Sequence, residues 1–226
     1  MLDAISAFLA QYGTLLLEGT RDTMIMTIVS TFFAYVLGLP LGVLLNITQP
    51  HGIWPKKWVN RVLGWIVNVG RSLPFIILLI AIMDFPKLIV GTKIGVRGAI
   101  VPLVVSASPF IARMVETSLA EVDAGVVEAA QSMGASRLQI VRKVFLPEAL
   151  PSLILGASIS IITILAYTAI AGAVGAGGLG DLAIRYGYQR RVPSMLWTTT
   201  ILIIVLVQAI QTLFSWLSTK MDKRLR

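Results

Sequence analysis

Charged side chains are so widely spaced in this chain that the gaps between them decide what it can become. A helix needs about 20 mainly apolar residues to cross ~30 Å of hydrocarbon. Five segments approach or exceed that length, at about 24–45, 62–83, 98–119, 149–174 and 195–217. The first carries Thr27, Ser30 and Thr31 as polar intrusions, the second is interrupted by Arg71, and the third has only 15 uncharged residues before Arg113. Such a stretch rises only about 22 Å. The third helix is therefore expected to continue past Arg113 and Glu116 toward Leu119, with both charges at the interface or against protein. A composition 56% apolar and 13% charged, with a mean hydropathy of +0.84, excludes an ordinary soluble domain. The fold class expected is all-α integral membrane, with five transmembrane helices in a single domain over residues 1–226.

Orientation follows from where Lys and Arg collect, because cytoplasmic loops carry the excess. One side holds eleven: Lys56, Lys57, Arg61, Arg113, Arg137, Arg142, Lys143, Lys220, Lys223, Arg224 and Arg226. The other holds seven: Arg21, Lys87, Lys93, Arg97, Arg185, Arg190 and Arg191. The start of the chain offers Arg21 against Asp3, Glu18 and Asp22, which places the N-terminus outside and the C-terminus in the cytoplasm. No cleavable signal peptide is expected, since the first residues lack a basic region and no small-residue cleavage site follows the first apolar helix. Residues 1–20, with Ile5, Phe8, Leu9, Tyr12, Leu15 and Leu16 at helical spacing, read as an amphipathic segment along the outer interface.

Several kinds of chemistry are removed at this stage. There is no Cys, hence no disulfide framework and no thiolate nucleophile or ligand, and the single His51 leaves no His-rich metal site. Gly175, Gly177 and Gly180 satisfy GxGxxG, but they close an apolar helix and follow no strand, so dinucleotide binding is rejected in favour of bent or closely packed helix ends. No GxxxxGK[ST] occurs, so any ATP hydrolysis belongs to another chain and the protein is not expected to be an enzyme. The net charge of +8 reads as membrane-flanking cations and not as a nucleic-acid surface.

The longest segment between spans runs from Arg113 to Glu148, and its loop proper covers about 120–147. Within it, VVEAAQSMGASRLQIVRKVFLP is helix-forming on both sides of Gly134, with Ala129, Ala130 and Met133, then Leu138, Val141 and Val144, able to line apolar faces. Glu128-Ala129-Ala130, then Gly134, then Val144, Phe145, Leu146 and Pro147 resemble, at full spacing, the EAA loop of ABC-importer membrane subunits. Val144 stands where that pattern usually has Ile. The run Arg71–Leu79, the run Ser108–Arg113 and the Gly-rich stretch Gly175–Tyr188 extend the resemblance, which is closest to the permease subunits of bacterial D/L-methionine importers, five-span members of the type I importer fold.

The resemblance implies a coupling helix that docks on a separate cytoplasmic ATPase, with Glu128 as the acidic contact, Ala129 and Ala130 as small seating residues, Gly134 at the turn, and Leu146 and Pro147 closing the motif. It implies a second copy of this chain, two cytoplasmic ABC ATPase subunits, an extracytoplasmic substrate-binding protein, surrounding lipid, and a place in the bacterial inner membrane. ATP and Mg are expected on the ATPase, with no cofactor in this chain. The cargo expected is methionine; another amino acid or a quaternary amine is the alternative within the same machine. A self-contained channel or secondary transporter would call for an acidic residue in mid-span, but Asp84, Glu116, Glu148 and Asp181 fall at the span ends.

For the path or gate, the polar positions within spans are Asn68, Arg71, Ser72, Ser108, Ser160, Thr163 and Tyr167, with Ser106 a further polar position. Arg71 is open to two roles: a structural cation held by helix carbonyls or a carboxylate such as Glu116, or a gate and substrate-carboxylate contact. Ser and Thr in membrane helices commonly bond their own backbone. Pro74, Pro102 and Pro109 each interrupt a helix ladder. Gly38 and Gly42 form a small-xxx-small pair suited to seating another helix.

Overall fold

The computed structural model describes Leu2–Met221, apart from the side chains of residues 2–5 and 9. The side chains of Ile5 and Leu9 in the amphipathic reading and of Asp3 in the orientation argument, and Lys223, Arg224 and Arg226 in the orientation count, lie outside what is described. All described elements are helical: α1 Leu2–Ile47, α2 Lys57–Ser72, α3 Phe75–Ala81, α4 Phe85–Val90, α5 Gly95–Ala120, α6 Ala124–Ser132, α7 Arg137–Ile140, α8 Leu146–Glu148, α9 Leu150–Gly172, α10 Gly178–Leu182 and α11 Pro193–Met221. Two π-type turns, Val141–Phe145 and Ala183–Gln189, link α7 to α8 and follow α10. Among the described residues four helices are long and apolar enough to cross a membrane, and α2 with α3 pass the same test together as a sharply bent pair, a broken span or a re-entrant loop.

Two expectations change. The second span is not one helix over 62–83. Leu73 is extended (φ −80°, ψ 122°) because the ring of Pro74 excludes it from the helical region, and Pro74 has no N–H to continue the ladder. Pro102 and Pro109, by contrast, lie inside an unbroken α5. The segment before residue 20 is not a separate interfacial helix either. It continues directly into the first span, making α1 46 residues long, roughly 69 Å at 1.5 Å per residue. No proline interrupts it before Pro40, and Thr20, Thr27 and Thr31 each donate to the carbonyl four residues back.

The contacts divide into two compact units. The first comprises residues up to 31, 75–104 and 161–209. Here Leu16, Leu182 and Met195 form one core, flanked by Tyr12 edge-on to Tyr186. Met26, Phe75, Leu79, Leu103 and Ala171 form another. Gly180 is pressed onto α9, where a Cβ would sit 2.4 Å from the Ala169 carbonyl oxygen. The Thr23 hydroxyl accepts the Leu179 N–H at 2.9 Å.

The second unit comprises 32–74, 105–160 and the chain from 210 onward. Its helices α1 and α5 meet along Gly38 and Gly42. A Cβ would lie 2.7 Å from Ile111 Cγ2 at the first and 2.5 Å from the Ala112 oxygen at the second. Leu45, Val67 and Ala112 close the core beside this seam.

Candidate coupling surface and translocation path

The loop after α5 is shaped by short-range chemistry. Asp123 caps α6 by accepting the Gly125 N–H at 2.7 Å and the Val126 N–H at 3.3 Å. At the other end Gly134 takes φ +78°, the left-handed angle glycine adopts freely, and the Ala135 N–H reaches the Ala130 carbonyl at 3.1 Å to close the helix. Ser136 and Gln139 then form a reciprocal capping box that starts α7. The result is a hairpin with a definite inner face. Val127, Ala130, Ile140, Val141 and Phe145 are buried, whereas Glu128 and Ala129 are exposed with Met133 and Leu138, the last two 80% and 58% exposed. Leu146 is half-buried and Pro147 exposed at the entry to α9. Ala129 and Ala130 thus sit on different faces.

A cleft of about 290 Å³ is lined by Gln49, His51 and Ile53 of the turn after α1 and by Val127, Glu128 and Phe145 of the hairpin. Glu116, 8% exposed, receives Arg113 Nη1 at 2.6 Å and Gln49 Nε2 at 3.0 Å. It is therefore spoken for by these two donors. The carboxylate expectation for Arg71 is not met: Arg71 is exposed at the end of α2, and Glu116 pairs with Arg113 instead.

The seven path residues do not form one cluster. Asn68, Arg71 and Ser72 share a face of α2 by their three- and four-residue spacing, and all are exposed, with Ser72 Oγ donating to the Val69 carbonyl at 2.8 Å. Ser108 is buried on α5. Ser160, fully buried, donates to Gly156 O at 2.8 Å and shares a hydrogen bond with Tyr35. Ser160, Thr163 and Tyr167 recur along one face of α9. Tyr167 lies flat on Phe75, ring centroids 4.6 Å apart and planes 6° from parallel.

The sequence reading gave no site role to Lys57, Arg61, Gly64, Gln49 or Trp54. Lys57, Arg61 and Gly64 extend the Asn68–Arg71 face into a stripe at positions 57, 61, 64, 68 and 71. Polar residues at 57, 61, 68 and 71, with Gly64 between them at helical spacing, were the available signal. Gln49 and Trp54 carried none, since a lone Gln and a lone Trp in a turn suggest nothing by type.

Residues 38–226 match the family described as "Binding-protein-dependent transport system inner membrane component". A Vibrio cholerae protein described as a probable D-methionine transport system permease is 47% identical over 222 residues, 98% of this chain and 99% of that one. The Escherichia coli K12 D-methionine transport system permease is 52% identical over 158 residues, 70% of this chain and 73% of that protein. A solved chain from inward-facing conformations of the MetNI methionine ABC transporter superposes with TM-score 0.93 at 47% identity, covering 94% of this chain and 99% of the other. An amino acid ABC transporter at 20% identity shares the fold, with TM-score 0.78. A motif hairpin on an all-helical membrane scaffold and these near-full-length likenesses lead to one assignment: the chain belongs to the inner membrane components of binding-protein-dependent transport systems.

Proposed function

We propose that this chain is the permease subunit of an ATP-driven importer that carries methionine across the bacterial inner membrane, N-terminus outside and C-terminus in the cytoplasm. The observation that carries the reading is the 47% identity to a D-methionine permease over 98% of the chain. Two chains work together, joined to two cytoplasmic ATPase subunits that hold ATP and Mg, and fed by an extracytoplasmic binding protein. Met133, Leu138 and Val126 leave apolar surface exposed on the hairpin around Glu128, the kind of surface a partner covers. ATP binding draws the two ATPase subunits together, their movement shifts the Glu128 hairpins, and the spans pass from inward-open to outward-open. Hydrolysis resets them.

The stripe through Asn68, Arg71 and Ser72 supports a role for α2 at the path. Polar groups of a span that are exposed in one copy must meet water or a second copy, because lipid leaves them unsatisfied. Ser108, Ser160, Thr163 and Tyr167 supply further polar positions on α5 and α9, and Arg71 is suited to a substrate carboxylate.

The test is uptake of labelled methionine into vesicles containing the complete complex, native chain against Glu128→Arg. ATP-dependent uptake by the native complex, reduced about thirtyfold or more by a charge reversal at a docked contact, is expected. Binding-protein-stimulated hydrolysis without methionine uptake would discard the cargo and keep the machine.

A further inference from the structure

The turn between α1 and α2, residues 48–56, is stitched to its surroundings in an unusual number of ways. Its backbone folds back on the end of α1. Gly52 N–H donates to Gln49 O at 2.9 Å, Trp54 N–H to Ile47 O at 2.9 Å and Lys56 N–H to Thr48 O at 3.2 Å. Asn60 at the start of α2 donates to Leu45 O at 2.8 Å and to Thr48 Oγ1 at 3.2 Å. A Cβ on Gly52 would fall 2.4 Å from Ile47 O, so the turn has no slack there. The last carbonyls of α1, which a helix end normally leaves to water, are thereby consumed by the turn itself.

From this rigid turn two side chains reach outward. Gln49 grips Glu116 on α5 at 3.0 Å, on the carboxylate that Arg113 also holds. Trp54 lies beneath the Arg137 guanidinium, 5.4 Å from ring centroid to Cζ, on the second arm of the coupling hairpin. His51 and Ile53 of the turn and Val127 and Glu128 of the hairpin line one cleft. The turn thus contacts the hairpin's second arm through Trp54 and the helix from which the hairpin springs through Gln49, and it shares a cleft with the first arm.

We propose that residues 48–56 are a strut that passes displacement of the coupling hairpin to α1 and α2, with Trp54 and Gln49 as its positioning residues. The inference rests on the importer reading above. The hairpin is covalently continuous with α5 and α9 only, so α1 and α2 must receive its movement through contacts. A turn fixed to the α1 end by backbone bonds and joined to the hairpin by a cation–π contact is placed to carry part of that displacement. Neither residue touches the ATPase or the substrate in this proposal.

The experiment measures methionine uptake and ATP hydrolysis in the same vesicles, using the full complex with the ATPase and binding protein. For Trp54→Ala the ATP consumed per methionine imported should rise about three- to tenfold, with hydrolysis by the assembled complex retained. Trp54→Phe, which keeps an aromatic face for Arg137, should restore the ratio to within about twofold of native. Arg137→Gln should reproduce the Trp54→Ala ratio, and combining the two should add nothing further, because both remove one contact. An unchanged ratio in both single variants overturns the proposal. So does a parallel fall of uptake and hydrolysis in a complex that still co-purifies with its ATPase, since that places the turn at docking. Should Trp54→Ala not assemble, the ratio in Arg137→Gln and Gln49→Ala decides the matter in the same way. The native complex tests the importer reading separately: no ATP-dependent uptake by it sinks that reading whatever Trp54 does.

Discussion

In the hairpin of residues 120–147, capping is done by near neighbours: Asp123 for Gly125 and Val126, Ser136 for Gln139, Gly134 for the turn. Among the candidate path positions on α2 and α9, Ser72 and Ser160 bond carbonyls of their own helix, Ser160 also shares a bond with Tyr35, and Asn68 and Arg71 are exposed. One region builds a surface from consecutive residues; the other offers isolated positions that acquire meaning only when helices and copies are set side by side. The difference teaches where a linear pattern can be trusted. A hairpin capped by near neighbours is local, so its motif survives as spacing, whereas polar positions on separate helices meet only through distant parts of the chain.

Substitutions can break this contrast. The largest effect is expected where helices meet. Gly42→Leu would drive a side chain into the Ala112 carbonyl and Val115, contacts already at 2.5 and 2.6 Å for a bare Cβ. Overpacking of this kind costs about 3 kcal/mol or more, and thermal unfolding of the purified chain in detergent should show a clear drop in midpoint, with uptake lost in proportion to the folded fraction. Next comes Gly134→Val in the hairpin, at φ +78°. A β-branched residue there carries about 1–2 kcal/mol of left-handed strain. ATP-dependent uptake and ATPase co-purification should fall together while the unfolding midpoint of the chain hardly moves, and Gly134→Asn should do less harm. A shifted midpoint with intact co-purification would contradict a locally built hairpin.

Arg71→Gln is expected to act on a third quantity. If the α2 stripe lines the path, the half-saturating concentration for uptake rises about three- to tenfold, the worth of one charge-assisted contact in partly wet surroundings, and ATP consumed per methionine stays level. The smallest effect belongs to Asp84, in the connection between α3 and α4. The Lys93 ammonium at 2.9 Å holds its carboxyl below the usual carboxylate range. A depressed pKa in the folded chain contributes stability that is present above the unfolded value of ~3.9 and is lost as pH falls through the folded value. Asp84→Asn should therefore leave uptake at pH 7 unchanged and remove only a slight acid-side dependence of the unfolding midpoint.

Parts of this were readable from residue order and parts were not. The long charge-free runs announce membrane helices because hydrocarbon tolerates nothing else of that length, and Gly38 and Gly42 announce a close helix contact because only small residues permit one. The break at Leu73 was present in the sequence as Pro74, yet Pro102 and Pro109 look the same on paper and lie within a continuous helix. Whether a proline ends a span depends on what packs around the freed carbonyl, which residue order does not state. Arg71, read as an interior cation, was offered helix carbonyls or a carboxylate such as Glu116, and Arg113, three residues from Glu116 on one helix turn, took that carboxylate.

By itself, then, the sequence determined the chain's solvent, most of its long helices and the hairpin motif around Glu128, because each depends on composition or on neighbours within a few turns. The tertiary structure alone decided that Glu116 is shared by Arg113 and Gln49, that Trp54 lies under Arg137, and that Tyr167 lies flat on Phe75. These contacts join residues separated by up to nearly a hundred positions, and their energies depend on distance in space, for which the spacing along a chain carries no record.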